Sequence, residues 1–220
     1  MNSNLVLFGT GQIAELAQFY FESDSPYKPV AFTVHGEFVK EATYLGLPVV
    51  AFEELEERFP QEDASVFVAL SYKNVNKFRR SIFEEVVSMG YEVPSYVSSR
   101  ATVLVDMSRS KNCFVLEENT IQPFVRIGDN VFLWSGNHIG HHSVLESHCY
   151  IASQIVISGN CRIEEESFIG VNATLHDGVT IGAGAIVAAG ALIKRDVESG
   201  SVMVAPSAKL SERKASEVNL

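Results

Sequence analysis

The sequence has little cysteine, a deficit of positive charge and no long apolar run. Three Cys in 220 residues, an odd count without metal-ligand spacing, read as reduced thiols of a cytosolic protein. Lys and Arg number 17 against 27 Asp and Glu, a net charge of −10. That balance argues against a broad nucleic-acid or anionic-membrane interface and leaves room for a local phosphate pocket. No apolar stretch approaches the roughly 20 residues of a membrane helix. The opening MNSNLVLFGTG has neither a basic leader segment nor a cleavage site, so a cytoplasmic location without membrane insertion is expected. Gly (15) and Pro (7) occur at ordinary frequency, which argues against disorder and collagen-like repeats. Hydrophobic residues make up 46%, enough to bury the core of one large domain or two small ones.

Two halves follow different grammars. Up to about residue 100, short apolar runs alternate with helical stretches. The run Leu5-Val6-Leu7-Phe8 ends in Gly9-Thr10-Gly11-Gln12, and a helical pattern follows to about Glu22. Residues 29–34 and 48–51 read as further strands, 53–58 as an acidic helix and 65–70 (SVFVAL) as a strand buried on both faces. Residues 74–89 carry apolar positions at helical spacing. Strands alternating with helices predict a small parallel α/β sheet. Gly9-Thr10-Gly11-Gln12-Ile13-Ala14 fits G-x-G-x-x-A, whose glycines allow close backbone approach and whose helix start attracts phosphate. Thr33 and His35 stand where a dinucleotide-binding domain ends its second strand in Asp or Glu, so NAD binding is disfavoured. Ser71, Tyr72, Asn76 and Arg79 follow the SVFVAL strand, on the side where parallel sheets bind ligands.

From residue 103 the period is six. Aliphatic residues recur from Val103 through Val115, Ile121 and every sixth position to Ile193, with one miss at Arg109 and no insertion. Four positions after each, the residue is mostly small or apolar, and all three Cys fall there. This predicts a solenoid of flat, short strands, in which three hexads close a coil of about 18 residues and the aliphatic residues point inward. Residues 103–198 hold 16 hexads, about five coils.

The unit Ile139-Gly140-His141-His142-Ser143-Val144 resembles the hexapeptide-repeat acyltransferases. With Gly136-Asn137-His138 before it and Ser158-Gly159 one coil after His141, the whole chain resembles the NeuD/PglD-type sugar acyltransferases. The resemblance implies an α/β Rossmann-like N-terminal domain, residues 1–100, that grips the nucleotide end of a sugar substrate. It implies an all-β, left-handed parallel β-helix over 101–220, ending in a short tail. It further implies a homotrimer with active sites between subunits. The activity implied is N-acetylation of a nucleotide-linked amino sugar, a 4-amino-4,6-dideoxyhexose, in surface-glycan (O-antigen) biosynthesis. Acetyl-CoA is the co-substrate and no metal is needed. Sugar O-acetylation, of the sialic-acid type, is the nearer alternative; a non-catalytic β-helix scaffold is the more distant one.

Acyl transfer to an amine needs a base, a donor for the oxyanion and aligned substrates. His141 aligns with the family's catalytic base, and it lies with His142 on the expected outer side of the coil, open to a neighbouring subunit. Some relatives carry a Glu at the position of His142, so here the partner that orients His141 is left open: His142 bonds His141, bonds substrate or faces solvent. Gly159 resembles the glycine whose N–H meets the thioester carbonyl. Tyr150 and Val171 match positions that contact acetyl-CoA. Asn137 and His138 join the substrate-binding set with Gly9, Thr10, Gly11, Gln12, Thr33, Ser71, Tyr72, Asn76 and Arg79. Lys194, Arg195 and Lys209 are candidates for the CoA phosphates. Trp134 stacks on the sugar or on a neighbouring subunit.

Overall fold

The computed structural model describes residues 3–208 and 210–211; Lys209 lies outside the described residues. The first unit runs β1 (Asn4–Phe8), α1 (Gln12–Asp24), β2 (Lys28–Val34), β3 (Thr43–Tyr44), β4 (Leu47–Ala51), α2 (Leu55–Arg58), β5 (Ser65–Val68) and α3 (Lys77–Ser88). The sheet order is β3-β4-β2-β1-β5, parallel except for the edge strand β3. The apolar runs form strands within a residue or two of the expected bounds. The missed strand β3 is closed by Leu45 and Gly46 at φ 48° and 82°, a tight turn that the sequence Leu-Gly does not announce. The chain leaves β1 toward β2 on one side and returns as β5 on the other. Segments 9–12 and 70–73 therefore emerge side by side at the strand carboxyl ends, where open α/β sheets bind ligands.

Helix α3 starts at Lys77, later than expected, because Asn74, Val75 and Asn76 are left-handed, at φ 54°, 51° and 65°. A β-branched residue in that region is strained. The strain is offset by tertiary contacts, since Asn76 Nδ2 donates to the Glu166 carbonyl at 2.8 Å.

From Tyr96 the chain winds as a parallel β-helix of very short strands on three faces. The first face carries Tyr96, Phe114, Phe132, Tyr150, Phe168, Ile186 and Val202 outward. The second carries Thr102, Thr120, His138, Val156, Thr174 and Leu192, and the third Arg126, Val144, Arg162 and Thr180. The inward aliphatic residues stack with the Cys and Ala positions in one core. All three thiols are free and buried, and burial pushes Cys113 and Cys149 up to about 12. Turning a corner so sharply needs a left-handed backbone, and positive φ recurs at every sixth position from Asn112 to Gly190.

Three details depart from the expected grid. Coiling begins at Tyr96 rather than Val103, since Tyr96–Val97 pairs with Phe114–Val115. The third face has no strand before Arg126–Ile127, because Arg109 stands where an inward aliphatic residue is needed. In the last coil Ile186 pairs with Val202, a tighter return than the three hexads of the coils before it.

The two units share a core on the first face. Tyr96, Phe114, Phe132 and Tyr150 pack with Leu5, Leu7, Phe21, Phe32 and Phe67. Beside this core Arg79 is completely buried. Its Nε donates to Asn130 Oδ1 (3.0 Å), Nη1 to Asn76 Oδ1 (2.9 Å) and Nη2 to the His148 carbonyl (2.8 Å). Its guanidinium lies 4.4 Å from the Phe132 ring centre. Burial pulls its pKa down to about 10, so it stays charged at neutral pH. Asn112 adds a second clamp, exchanging bonds with the backbone N–H and carbonyl of Val68 in β5.

The seam can be tested in two ways. Arg79→Met keeps much of the stem but strands several buried acceptors, and it should cost about 4 kcal/mol in a urea titration; a loss below about 1 kcal/mol, the level of a surface pair, would rule out the clamp. His148 is 6% exposed, and burial with the charges of Arg80 and Arg79 holds its pKa at about 4. An unfolded His titrates near 6.5, so the unfolded chain binds the proton first and stability falls as pH drops from about 6.5 to about 4. The expected loss is about 3 kcal/mol across that window. His148→Gln should flatten the slope there, and an unchanged slope would assign it to other groups.

Candidate active site

The loop after β1 is built around Gly9, at φ +127°, where a Cβ would lie 2.9 Å from the Ala69 carbonyl. Only glycine fits so close to the chain leaving β5. Its N–H bonds the Thr33 carbonyl at 2.8 Å, which holds the loop across the strand ends. Gly11 precedes α1, whose first turn has no side-chain cap; nothing lies within 4 Å of where a Gly11 Cβ would stand. Helix amides are thereby left open to an anion.

A cleft of about 510 Å³ opens there, lined by Gly11, Gln12, Ser71, Tyr72 and Lys73 from the first unit and by Trp134 and Tyr150 from the β-helix. A second hollow, of about 470 Å³, adjoins Thr10 and is walled by Phe38, Lys40, Glu41 and Tyr44. The carboxylate missing from the end of β2 is supplied in space by Glu53, which accepts from the Gly36 N–H at 2.9 Å and bonds His35 at 3.0 Å.

The histidines occupy a different place. His141 and His142 are exposed on the corner between the second and third faces, and His142 is the left-handed corner residue at φ 61°. Pro123, His141, Gly159 and Asp177 share one line on this corner, a coil apart. A Cβ on Gly159 would lie 2.6 Å from His141 Cε1, so the imidazole rests on the glycine. The His141 N–H donates to Gln122 Oε1 at 2.9 Å, and the His142 ring lies 4.6 Å from that of Phe124. His141 Nδ1 and His142 Nδ1 are 3.1 Å apart. Of the open roles for His142, the bond to His141 is the one formed. With the proton on His141 Nδ1, His142 accepts it and His141 Nε2 keeps a free lone pair. His138 stands on the second face, leading to the same corner.

Several expected ligand contacts are corrected. Asn76 and Arg79 are fully buried and bind β-helix groups; their polar atoms form the seam between the units. Thr33 is also fully buried, with an unpartnered hydroxyl, so it reaches no ligand. Asn137 is buried and bonds the Trp134 carbonyl and the Ile155 N–H, a turn-stabilising role. Tyr150 is 3% exposed, stacked on Phe168 at 5.6 Å, and borders the first-unit cleft. Gly159 and Val171 stand on two different corners, and the Gly159 N–H donates to Asp177 Oδ1 at 2.9 Å. Lys194 and Arg195 are exposed where the last coil leaves the second face. Gln122, Phe124, Asp177 and Lys73 were missed. The first three sit one coil, to within a single position, from His141, His142 and Gly159, the offset that had already linked His141 to Gly159. Among the described residues no group of three or more His, Cys, Asp or Glu could hold a metal, and no helix is long and apolar enough to cross a membrane.

This is a parallel β-helix carrying an exposed corner histidine, fused to a parallel α/β unit with a cleft at its switch point. The family model for the bacterial transferase hexapeptide (six repeats) matches residues 160–195. No curated protein sequence matches the chain. Among solved structures, the acetyltransferase domain of PglB from Neisseria gonorrhoeae FA1090 is 25% identical over 91% of this chain and 96% of that one, with a TM-score of 0.80. PerB from Caulobacter crescentus, solved with CoA and GDP-perosamine, is 22% identical over 90% and 92%, with a TM-score of 0.68. WeeI from Acinetobacter baumannii AYE is 19% identical over 90% and 94%, at 0.66. The resemblance to sugar acyltransferases of the hexapeptide-repeat β-helix type is borne out.

Gly159→Ala tests the corner. The added methyl must push the imidazole aside, a shift confined to an exposed side chain, so the fold should survive. The expected result is a shift of the His141 ring resonances in the NMR spectrum of the variant, with the fold unchanged. Unmoved His141 ring resonances in the NMR spectrum of the variant would show that the ring does not rest on Gly159.

Proposed function

We propose that this protein is an acetyl-CoA-dependent acetyltransferase whose acceptor is the amino group of a nucleotide-linked sugar, a 4-amino-4,6-dideoxyhexose used in surface-glycan assembly. The observation that carries the reading is the His141 imidazole resting on Gly159 at an exposed corner of a hexapeptide-repeat coil. His141 Nε2 takes the proton from the attacking amine. His142 Nδ1 accepts the Nδ1 proton of His141 and so keeps Nε2 free. The Gly159 amide, on the residue against which the imidazole rests, serves the oxyanion of the thioester carbonyl. The CoA arm follows the second face and its corner, toward Lys194 and Arg195. The first unit, read as a Rossmann-like domain, holds the nucleotide. Gly11, Gln12 and the start of α1 take the phosphates, with Ser71, Tyr72 and Lys73 opposite. The solenoid is read as the left-handed form, and the protein as cytoplasmic.

These two half-sites do not meet in one chain. The histidine corner lies between the second and third faces, across the triangular section from the first face, which carries the cleft. A second copy must bring its corner to the cleft, which supports the homotrimer reading. Exposed apolar side chains on the second face and its corner, Val156, Leu192 and Phe124, suit such a contact.

Mass spectrometry of 4-amino-4,6-dideoxy sugars on UDP, dTDP and GDP, with their hydroxyl counterparts, tests the reading after incubation with protein and acetyl-CoA. An acetyl gain on one amino sugar is expected. A gain on hydroxyl substrates alone would make it an O-acetyltransferase, and no gain with any acyl-CoA would leave a scaffold. His141→Asn should fold and bind acetyl-CoA while turnover falls by about 10³-fold, the scale of a lost general base.

A further inference from the structure

His141, Gly159 and Asp177 stand in one line on the corner, each a coil from the next. The imidazole covers one side of Gly159, and from the coil beyond, Asp177 Oδ1 accepts the Gly159 N–H at 2.9 Å. A backbone amide has a single hydrogen. While the carboxylate holds it, that amide has nothing to offer an incoming carbonyl. We propose that Asp177 is a gate on the oxyanion donor: its carboxylate occupies the Gly159 amide in the free protein and must swing away before an acyl thioester can seat.

The gate rests on the acyl-transfer reading above, and its origin lies in the coil. The first residue of a corner often has an amide that no backbone carbonyl reaches, and a side chain one coil on can cap it. Asp129 caps the Lys111 N–H in this way at 2.8 Å. At Lys111 the cap only satisfies a donor. At Gly159 the same device covers the amide beneath the imidazole.

A carboxylate is a stronger acceptor than a neutral thioester carbonyl. The ground-state carbonyl therefore competes poorly, and a carboxylate left in place would repel the negative charge that develops on the oxygen. Asp177 has somewhere to go. It is exposed, and Gly178 follows it at φ +74°, so the side chain can turn into water without disturbing the core. Free CoA has a thiol in place of the carbonyl and makes no demand on the amide. Asp177 should thus weaken binding of the acylated donor and leave CoA unaffected.

Calorimetric titration of the full chain with acetyl-CoA and with CoA separates these effects. Asp177→Ala should bind acetyl-CoA about tenfold more tightly, the scale of one hydrogen bond to a charged group, with its affinity for CoA unchanged. Asp177→Asn keeps a neutral acceptor and should fall between. Equal tightening for both ligands would reduce Asp177 to a charge that repels phosphates and overturn the gate. So would unchanged or weaker acetyl-CoA binding. Wild-type protein that bound neither ligand would instead overturn the acyl-transfer reading, and the gate with it.

Discussion

A coil that repeats every three hexads, unbroken from Phe114 to Ile193, is the constraint on which this molecule depends. A left-handed residue at every sixth position turns the corner, and each turn sets the next short strand beneath its counterpart one coil back. Asn and Gly reach that backbone at little cost, yet Glu118, Phe124, His142, His148, Gln154 and Glu166 adopt it too. Such strain persists only where the surroundings over-determine the chain, and here the core of stacked aliphatic residues does so. The return is strict registry. Residues one coil apart form columns, so an aromatic column makes one face sticky, an Asn column at residues 112 and 130 meets β5 and Arg79, and His141 rests on Gly159.

Registry alone does not place the α/β unit; the first face does. Its rings bury apolar surface against β1 and β5, while Arg79 and Asn112 fix the sliding position that apolar packing leaves free. A buried guanidinium without a carboxylate partner is costly, and it is retained here because every direction it points meets an acceptor or a ring. The same contacts hold Asn76 and the left-handed turn before α3. That turn shapes the segment carrying Ser71, Tyr72 and Lys73, so the wall of the cleft is held from the β-helix side.

These causes explain what could be read in advance. The period of six, the inward aliphatic positions and the strand–loop–helix at Gly9 are local patterns, and local patterns survive in sequence. The hexad spacing also placed His141 over Gly159. Arg79 and Asn76 read as ligand contacts because their β-helix partners lie 51 to 91 positions away, in the other unit. Thr33 fell at the expected strand end, but its side chain turned inward. The aromatic face was legible and overlooked: Tyr96, Phe114, Phe132, Tyr150 and Phe168 each stand a coil from the next, one position before the aliphatic grid. Read as an outward stripe, they would have marked where the first unit docks and removed Tyr150 from a solvent-facing groove. The Asp177 cap obeys the same offset, but an exposed Asp looks like any other until its carboxylate is seen on a particular amide.

The triangular section gives the opposed half-sites a geometric meaning. With the cleft on one face and the histidine on the far corner, no flexing of a single chain joins them, because the core between them is solid. On the acyl-transfer reading, which needs the two together, the contact between copies is heterologous, the corner of one chain against the cleft side of the next. Heterologous contacts either close into a ring or continue as a filament. A prism of three faces that spends one on its own α/β unit has two faces and their shared corner left for neighbours. Three such prisms around one axis can each present that corner inward to one neighbour while receiving another's, which closes the ring with no copy left over. On the acyl-transfer reading, the assembly then does what the fold of one chain cannot: it sets the base carried by the coil beside the substrate held by the sheet.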